Sequence, residues 1–130
     1  MDYLRKAKML SWILHKKQRR HDGQMYFFHP HRVAESLVTD EDKAIGYLHD
    51  VVEDTNVRQS TIDKLFPKYI SEGVKAMTHL EGVNYFDYIR AFPKKYIHIK
   101  LMDINDNFPT AKESMISRYE KAINILTSNL

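Results

Sequence analysis

At 130 residues, with 43% hydrophobic and 28% charged side chains, the chain can bury one core and is too apolar to be disordered. The absence of cysteine excludes a disulfide framework and a thiolate metal site, and it suits a reducing cytoplasm. No apolar run approaches the roughly 20 residues of a membrane span, and Met9 to Leu14 is short for a secretory signal, so a soluble, cytoplasmic protein is expected.

The formal charge of +3 is uneven. Residues 1–21 hold seven lysines and arginines against one aspartate, which leaves the rest of the chain net negative. A basic arm beside an acidic middle could hold an anionic ligand next to a metal-binding carboxylate cluster, or it could be one helix with a solvated basic face.

In chain order, the spacing of Leu4, Ala7, Leu10 and Leu14 predicts an amphipathic helix over 3–20. Asp22-Gly23 signals a turn. Tyr26 to His29, ahead of Pro30, reads as extended or loop backbone, with a short helix after the proline. Thr39 and Asp42 form a capping box for a helix whose first turn carries three acids. Its apolar stripe continues through Ala44, Ile45, Leu48, Val51 and Val52. Ser60 and Asp63 suggest another cap, for a helix ending near Phe66-Pro67. Helices follow at 68–79, about 85–92, 94–106, and from Thr110 or Ala111 to Leu126, the last capped by Thr110 with Glu113. No strand alternation or repeat interrupts the pattern. The expectation is an all-α, single-domain helical bundle over residues 1–130.

HDVVEDT, residues 49–55, sets two polar pairs one turn apart beside that stripe. In a continuous helix His49 lies below Glu53, and Asp50 below Asp54. Unpaired charge at such a border is costly. A divalent cation held by His49 and Asp50 would relieve that cost, with Glu53 and Asp54 a turn away to orient or deprotonate a water. Histidine with carboxylates suits Mn²⁺, Fe²⁺ or Zn²⁺ better than Ca²⁺. Two further candidate ligands lie elsewhere: His29 in FFHPHRVAESL and Asp103 in KLMDINDN.

In this order His29, His49-Asp50 and Asp103 resemble the metal signature of the HD phosphohydrolases. The likeness is closest to the hydrolase domain of the RelA/SpoT homologues and the small alarmone hydrolases, and it runs from about residue 15 to 110. QRRHDGQMYFFHPHRVAESL is similar to that family's basic pair, loop and His-Pro segment, and LHDVVEDT is its central motif unchanged. KLMDINDN resembles its Lys-Leu-Ala-Asp-Arg-Leu-His-Asn box.

The resemblance implies a central site in which His29, His49, Asp50 and Asp103 bind one Mn²⁺, or another divalent transition metal, that lowers the pKa of water and polarises a phosphate. It implies that Glu53 and Asp54 are the catalytic acids. It also places Arg20, His21, Asn107 and Thr110 at the substrate, with Arg20 against base and phosphate and Asn107 near the ribose. The implied reaction removes the 3′-diphosphate of ppGpp or pppGpp, as in the stringent response, giving GDP or GTP and pyrophosphate. With no synthetase domain, the chain is expected to degrade alarmones and not to make them.

Four positions depart from the pattern. His21 and His79 stand where lysine or arginine is frequent, Ile104 where a basic residue follows the metal aspartate, and Asp106 where His or Tyr precedes the asparagine. These changes open alternatives within the enzymes: a phosphatase for NADPH, ppApp, deoxynucleotides or a pyrophosphorylated RNA end. Neutralising an alarmone-synthetase toxin is a role that either activity could serve. Outside the enzymes, a catalytically silent nucleotide-binding module is the alternative, and the intact Glu53 and Asp54 argue against it. The basic arm offers nucleic acid only Tyr3 and Trp12 as stacking platforms, so the partner is expected to be a small nucleotide. Nothing in the pattern sets an oligomeric state.

Overall fold

The computed structural model describes residues 2–130, and among them the architecture is all-α, as expected. The helices are α1 (Tyr3–His15), α2 (Phe28–Glu35), α3 (Asp40–Leu48), α4 (Val51–Asp54) and α5 (Gln59–Leu65). They continue as α6 (Lys68–Met77), α7 (Tyr85–Arg90), α8 (Ile97–Asn107) and α9 (Glu113–Ser128), with 3₁₀ turns at Lys94–Tyr96 and Phe108–Thr110.

Helix α3 is the axis of the bundle. Its residues from Ala44 to Leu48 are all buried, and it packs against α1, α2, α6 and α8. A helical stretch apolar on every side is stable only when surrounded, as Ala44 to Leu48 are. Thr39 caps it as expected, its hydroxyl accepting from the Asp42 N–H at 3.1 Å. Gly46 lets α2 approach: a Cβ there would lie 2.9 Å from the Ala34 Cα. That contact sets α2 beside the end of α3.

Several boundaries differ from the sequence expectation. Helix α1 stops at His15, five residues early. The chain then doubles back through a hairpin closed by an isolated antiparallel bridge between Arg19 and Met25, with Gly23 at φ 86°. The turn at Asp22-Gly23 is therefore present, and the two arginines sit on the hairpin and not on a helix.

Helix α2 starts two residues before Pro30, because a proline in the first turn gives up only an N–H that has no intrahelical partner. The helix expected to run through HDVVEDT breaks at His49-Asp50. Asp50 leaves helical backbone (φ −106°, ψ 2°), and α4 is a separate short helix. Ser60 lies inside α5 and caps nothing; the N-cap position is Arg58. Thr110 likewise caps nothing, since α9 begins at Glu113 after Lys112.

Candidate metal centre and active site

Three elements deliver four donors to one point. His29 comes from the first turn of α2, His49 and Asp50 from the break after α3, and Asp103 from the middle of α8. His29 Nε2 lies 3.1 Å from His49 Nε2 and 3.0 Å from Asp103 Oδ1. His49 Nε2 lies 3.0 Å from Asp50 Oδ2 and 3.2 Å from Asp103 Oδ1. Ligand atoms of His29, His49 and Asp50 are all within 4.8 Å of one another, and Asp103 joins that group through the two imidazoles. The backbone break matters here. Neighbouring positions of an unbroken helix point about 100° apart, and at the break they converge.

Each donor residue has a further hydrogen-bond partner outside the cluster. His49 Nδ1 donates to the Gly46 carbonyl at 2.6 Å, and His29 Nδ1 to Asp106 Oδ2 at 2.8 Å. Each ring therefore turns Nε2 inward, where its lone pair is available when the imidazole is neutral. Lys100 Nζ donates to Asp103 Oδ2 at 3.0 Å, and the Tyr26 hydroxyl donates to Asp50 Oδ2.

Burial disfavours charge on His49, but the Asp50 and Asp103 carboxylates outweigh it and hold its pKa well above the ordinary value. Burial would raise Asp50, and His49 brings it down to about 2. Asp103 is held well below the carboxylate range, its burial outweighed by Lys100 and His49. Two lone pairs and two carboxylates around one point, in a pocket that favours positive charge, fit a divalent cation. That donor set is suited to a transition metal.

A cavity of about 280 Å³ opens beside this cluster. Asp50, Asp103, Glu53 and Asp54 line it, together with Lys100 and Arg118. The sequence argument put Glu53 directly above His49 on one helix. The break removes that alignment, and the acids reach the cavity because α4 turns them toward it. Glu53 accepts from the His79 N–H at 2.7 Å. Partial burial raises its pKa against that hydrogen bond, and partial burial together with Asp50 raises that of Asp54.

Arg20, His21 and Asn107 line a neighbouring cavity of about 660 Å³ that shares Tyr26, Asn107, Met115 and Tyr119 with the first, while Thr110 lines neither cavity and joins them only through hydrogen bonds. Arg20 donates to Asn107 Oδ1 at 2.7 Å and reaches Thr110 Oγ1 at 3.5 Å. The His21 ring donates to the Thr110 carbonyl through Nε2 at 2.7 Å. The hairpin thus docks on the segment after α8.

Asp106 departs from the expected part in a drifted specificity shell. It lines neither cavity; it lies behind His29 and pairs with Arg32 (Oδ1 to Nε, 2.7 Å). Ile104 does line the metal-side cavity, as an almost fully buried wall residue. Tyr26, Lys100 and Arg118 escaped the sequence reading. Lys100 stands one turn before Asp103, a spacing that could have flagged it. Arg118, on α9, stacks over the Tyr85 ring at 3.9 Å, and its buried Nε has no hydrogen-bond partner among the described residues. No local signal announced it.

No family model matches the chain. It is 37% identical over 86 residues to the GTP pyrophosphokinase rsh of Brucella melitensis, an alignment covering 62% of this chain and 11% of that protein. It is 38% identical over 84 residues to a probable guanosine-3′,5′-bis(diphosphate) 3′-pyrophosphohydrolase of Synechocystis sp., covering 62% and 11%. A protein of the same description in Mycoplasma genitalium is 29% identical over 134 residues, covering the whole of this chain and 17% of that one. The chain thus spans 11% to 17% of the length of these curated relatives. Among solved structures, a metazoan ortholog of SpoT described as hydrolysing ppGpp superposes with a TM-score of 0.79. That match has 18% identity and covers 99% of this chain and 85% of that one, a likeness of fold. In sequence the chain is thus similar to a part of these proteins, and it shares the all-α fold of the SpoT ortholog.

Proposed function

We propose that this chain hydrolyses the 3′-diphosphate of guanosine alarmones, converting ppGpp or pppGpp to GDP or GTP and pyrophosphate, with Mn²⁺ as its metal. The observation that carries this is the convergence of His29, His49, Asp50 and Asp103, of which all but His49 line the cavity that Glu53 and Asp54 also line. Sequence similarity to proteins named as ppGpp 3′-pyrophosphohydrolases supports the substrate class. The proposed setting is the cytoplasm, where such nucleotides are made and used.

In this reading His29, His49, Asp50 and Asp103 hold the ion. When bound, the ion supplies Lewis acidity toward phosphate and a lowered pKa for water. Glu53 is fixed through one oxygen by the His79 N–H, which leaves the other to take a proton from the attacking water. Asp54, one residue on, orients that water. The water oxygen attacks the phosphorus attached to the ribose 3′-oxygen, the P–O3′ bond breaks, and the 3′-oxygen leaves as a hydroxyl with a proton from solvent, while Glu53 returns its own to solvent. Lys100 and Arg118 supply positive charge on the same cavity wall, where the diphosphate would lie. Arg20 can stack on a purine or fork to phosphate oxygens. With Arg20 stand His21, Asn107 and Thr110, which form the edge for the nucleoside.

The test is product analysis with purified protein and Mn²⁺ on ppGpp, pppGpp, ppApp, NADPH and deoxynucleoside monophosphates, with EDTA and Asp50→Ala controls. GDP and pyrophosphate from ppGpp, lost in both controls, is the expected result. Orthophosphate from another nucleotide would move the substrate and keep the metal site. No turnover with nucleotide bound would mark a silent binding module.

A further inference from the structure

Asp106 stands where the resemblance leads one to expect His or Tyr, and its carboxylate is the meeting point of three side chains. Arg32 takes it in a fork, Nε to Oδ1 at 2.7 Å and a terminal nitrogen to Oδ2 at 3.1 Å. His29 Nδ1 donates to Oδ2 at 2.8 Å, and Arg20 approaches the same oxygen at 3.5 Å. The Asp106 side chain is only 15% exposed and lines neither cavity. Its charge therefore faces two guanidinium groups and an imidazole, and is not turned toward a bound nucleotide.

Two consequences follow from this geometry. A carboxylate on Nδ1 fixes the tautomer of His29 and makes Nε2 a more basic ligand atom, and loss of a partner of this kind typically weakens metal affinity about 10–100-fold. The Arg32 fork holds the carboxylate in place, because a guanidinium and a carboxylate match through two parallel hydrogen bonds. The third partner, Arg20, also holds Asn107 at 2.7 Å. One side chain thus touches both a candidate metal ligand and the arm proposed to receive the nucleoside.

We infer that Asp106 is a positioning residue that sets the cation affinity of the cluster through His29 and ties that cluster to the nucleotide arm through Arg20. This rests on the metal-centred reading above. It gives a reason for an aspartate at this position: the orienting group for His29 is supplied by the segment that also carries Asn107.

The experiment is calorimetric titration of the full chain with Mn²⁺ alone, comparing the native protein with Asp106→Asn, Arg32→Met and His49→Ala. Asparagine keeps the shape and removes the charge. Asp106→Asn is expected to bind Mn²⁺ about 10–100-fold more weakly, while its metal-free melting temperature and helicity stay near native. Arg32→Met alters a partly exposed side chain and is expected to weaken binding several-fold by loosening the carboxylate. If Asp106→Asn does not fold, Arg32→Met decides: weaker binding supports the inference and native affinity overturns it. Native binding lost in His49→Ala but kept within twofold in Asp106→Asn would overturn the inference alone and leave the metal site standing. A native chain that binds no Mn²⁺ would overturn both.

Discussion

The proposed metal cluster and the proposed nucleotide arm lie side by side and are built in opposite ways. In the cluster every donor comes from a helix or its immediate end, is buried or nearly so, and has a further hydrogen-bond partner: Gly46 for His49, Asp106 for His29, Lys100 for Asp103, Tyr26 for Asp50. The arm is a hairpin laid against a 3₁₀ turn. Its polar groups hold one another, Arg20 on Asn107 and the His21 ring on the Thr110 carbonyl. The first arrangement is preorganised before any ligand arrives. The second, if it receives the nucleotide as proposed, must exchange internal hydrogen bonds for nucleotide contacts, which makes it the place where substrate preference can change at little cost to the fold.

If that contrast is right, damage to the cluster should abolish chemistry and damage to the arm should only weaken binding. The largest effect is expected from His49→Ala or Asp103→Ala. Either should lose stoichiometric metal and bring turnover to background, with helicity by circular dichroism nearly unchanged. Stoichiometric metal retained by both would dissolve the cluster as a metal site. Next is Glu53→Gln, which should keep metal and lose at least ~100-fold in kcat; unchanged kinetics would reassign Glu53 to holding the His79 backbone.

Gly46→Ala tests the packing beneath the cluster. The new methyl meets the backbone of Ala34 at 2.9–3.0 Å and must push α2, which carries His29, away from α3. A loss of about 1–3 kcal/mol in urea unfolding is expected, together with weaker Mn²⁺ binding. Full stability would mean that α2 and α3 can shift without cost.

The arm should respond differently. Arg20→Gln is expected to raise KM for ppGpp by about tenfold, near the ~1.5 kcal/mol of one charge-assisted hydrogen bond, with a smaller change in kcat. A fall in kcat alone would place Arg20 with the chemistry. The smallest effect belongs to His21→Lys on the exposed hairpin, where a KM lowered by no more than about fivefold fits the worth of one exposed charge.

The same contrast governs what the sequence made legible. Helix-borne groups carry periodicity, and periodicity led to the buried stripe of α3 and to the Thr39 cap. The motif resemblance supplied His29, His49, Asp50 and Asp103 as a set, and those four side chains do converge. What the sequence did not contain was the break at Asp50. Val51 and Val52 continue the apolar stripe with no glycine or proline to announce a stop, so the argument for Glu53 rested on a helix that is not continuous. Asp106 was misjudged for a related reason. Its neighbours in sequence place it beside Asn107, while its hydrogen-bond partners, Arg32 and His29, lie more than 70 residues away and only the fold brings them near. Arg118 was invisible because a lone arginine on an amphipathic helix reads as a solvated one. The hairpin was half legible: Asp22-Gly23 marked its turn, but nothing marked α1 as ending at His15.

The measurement that tests the account most directly is anomalous diffraction from crystals grown with Mn²⁺. The account predicts one strong peak per chain within coordination distance of His29 Nε2, His49 Nε2, Asp50 and Asp103, reduced or lost in Asp103→Ala crystals. A peak elsewhere, or none at that point with Mn²⁺ in excess, would contradict it.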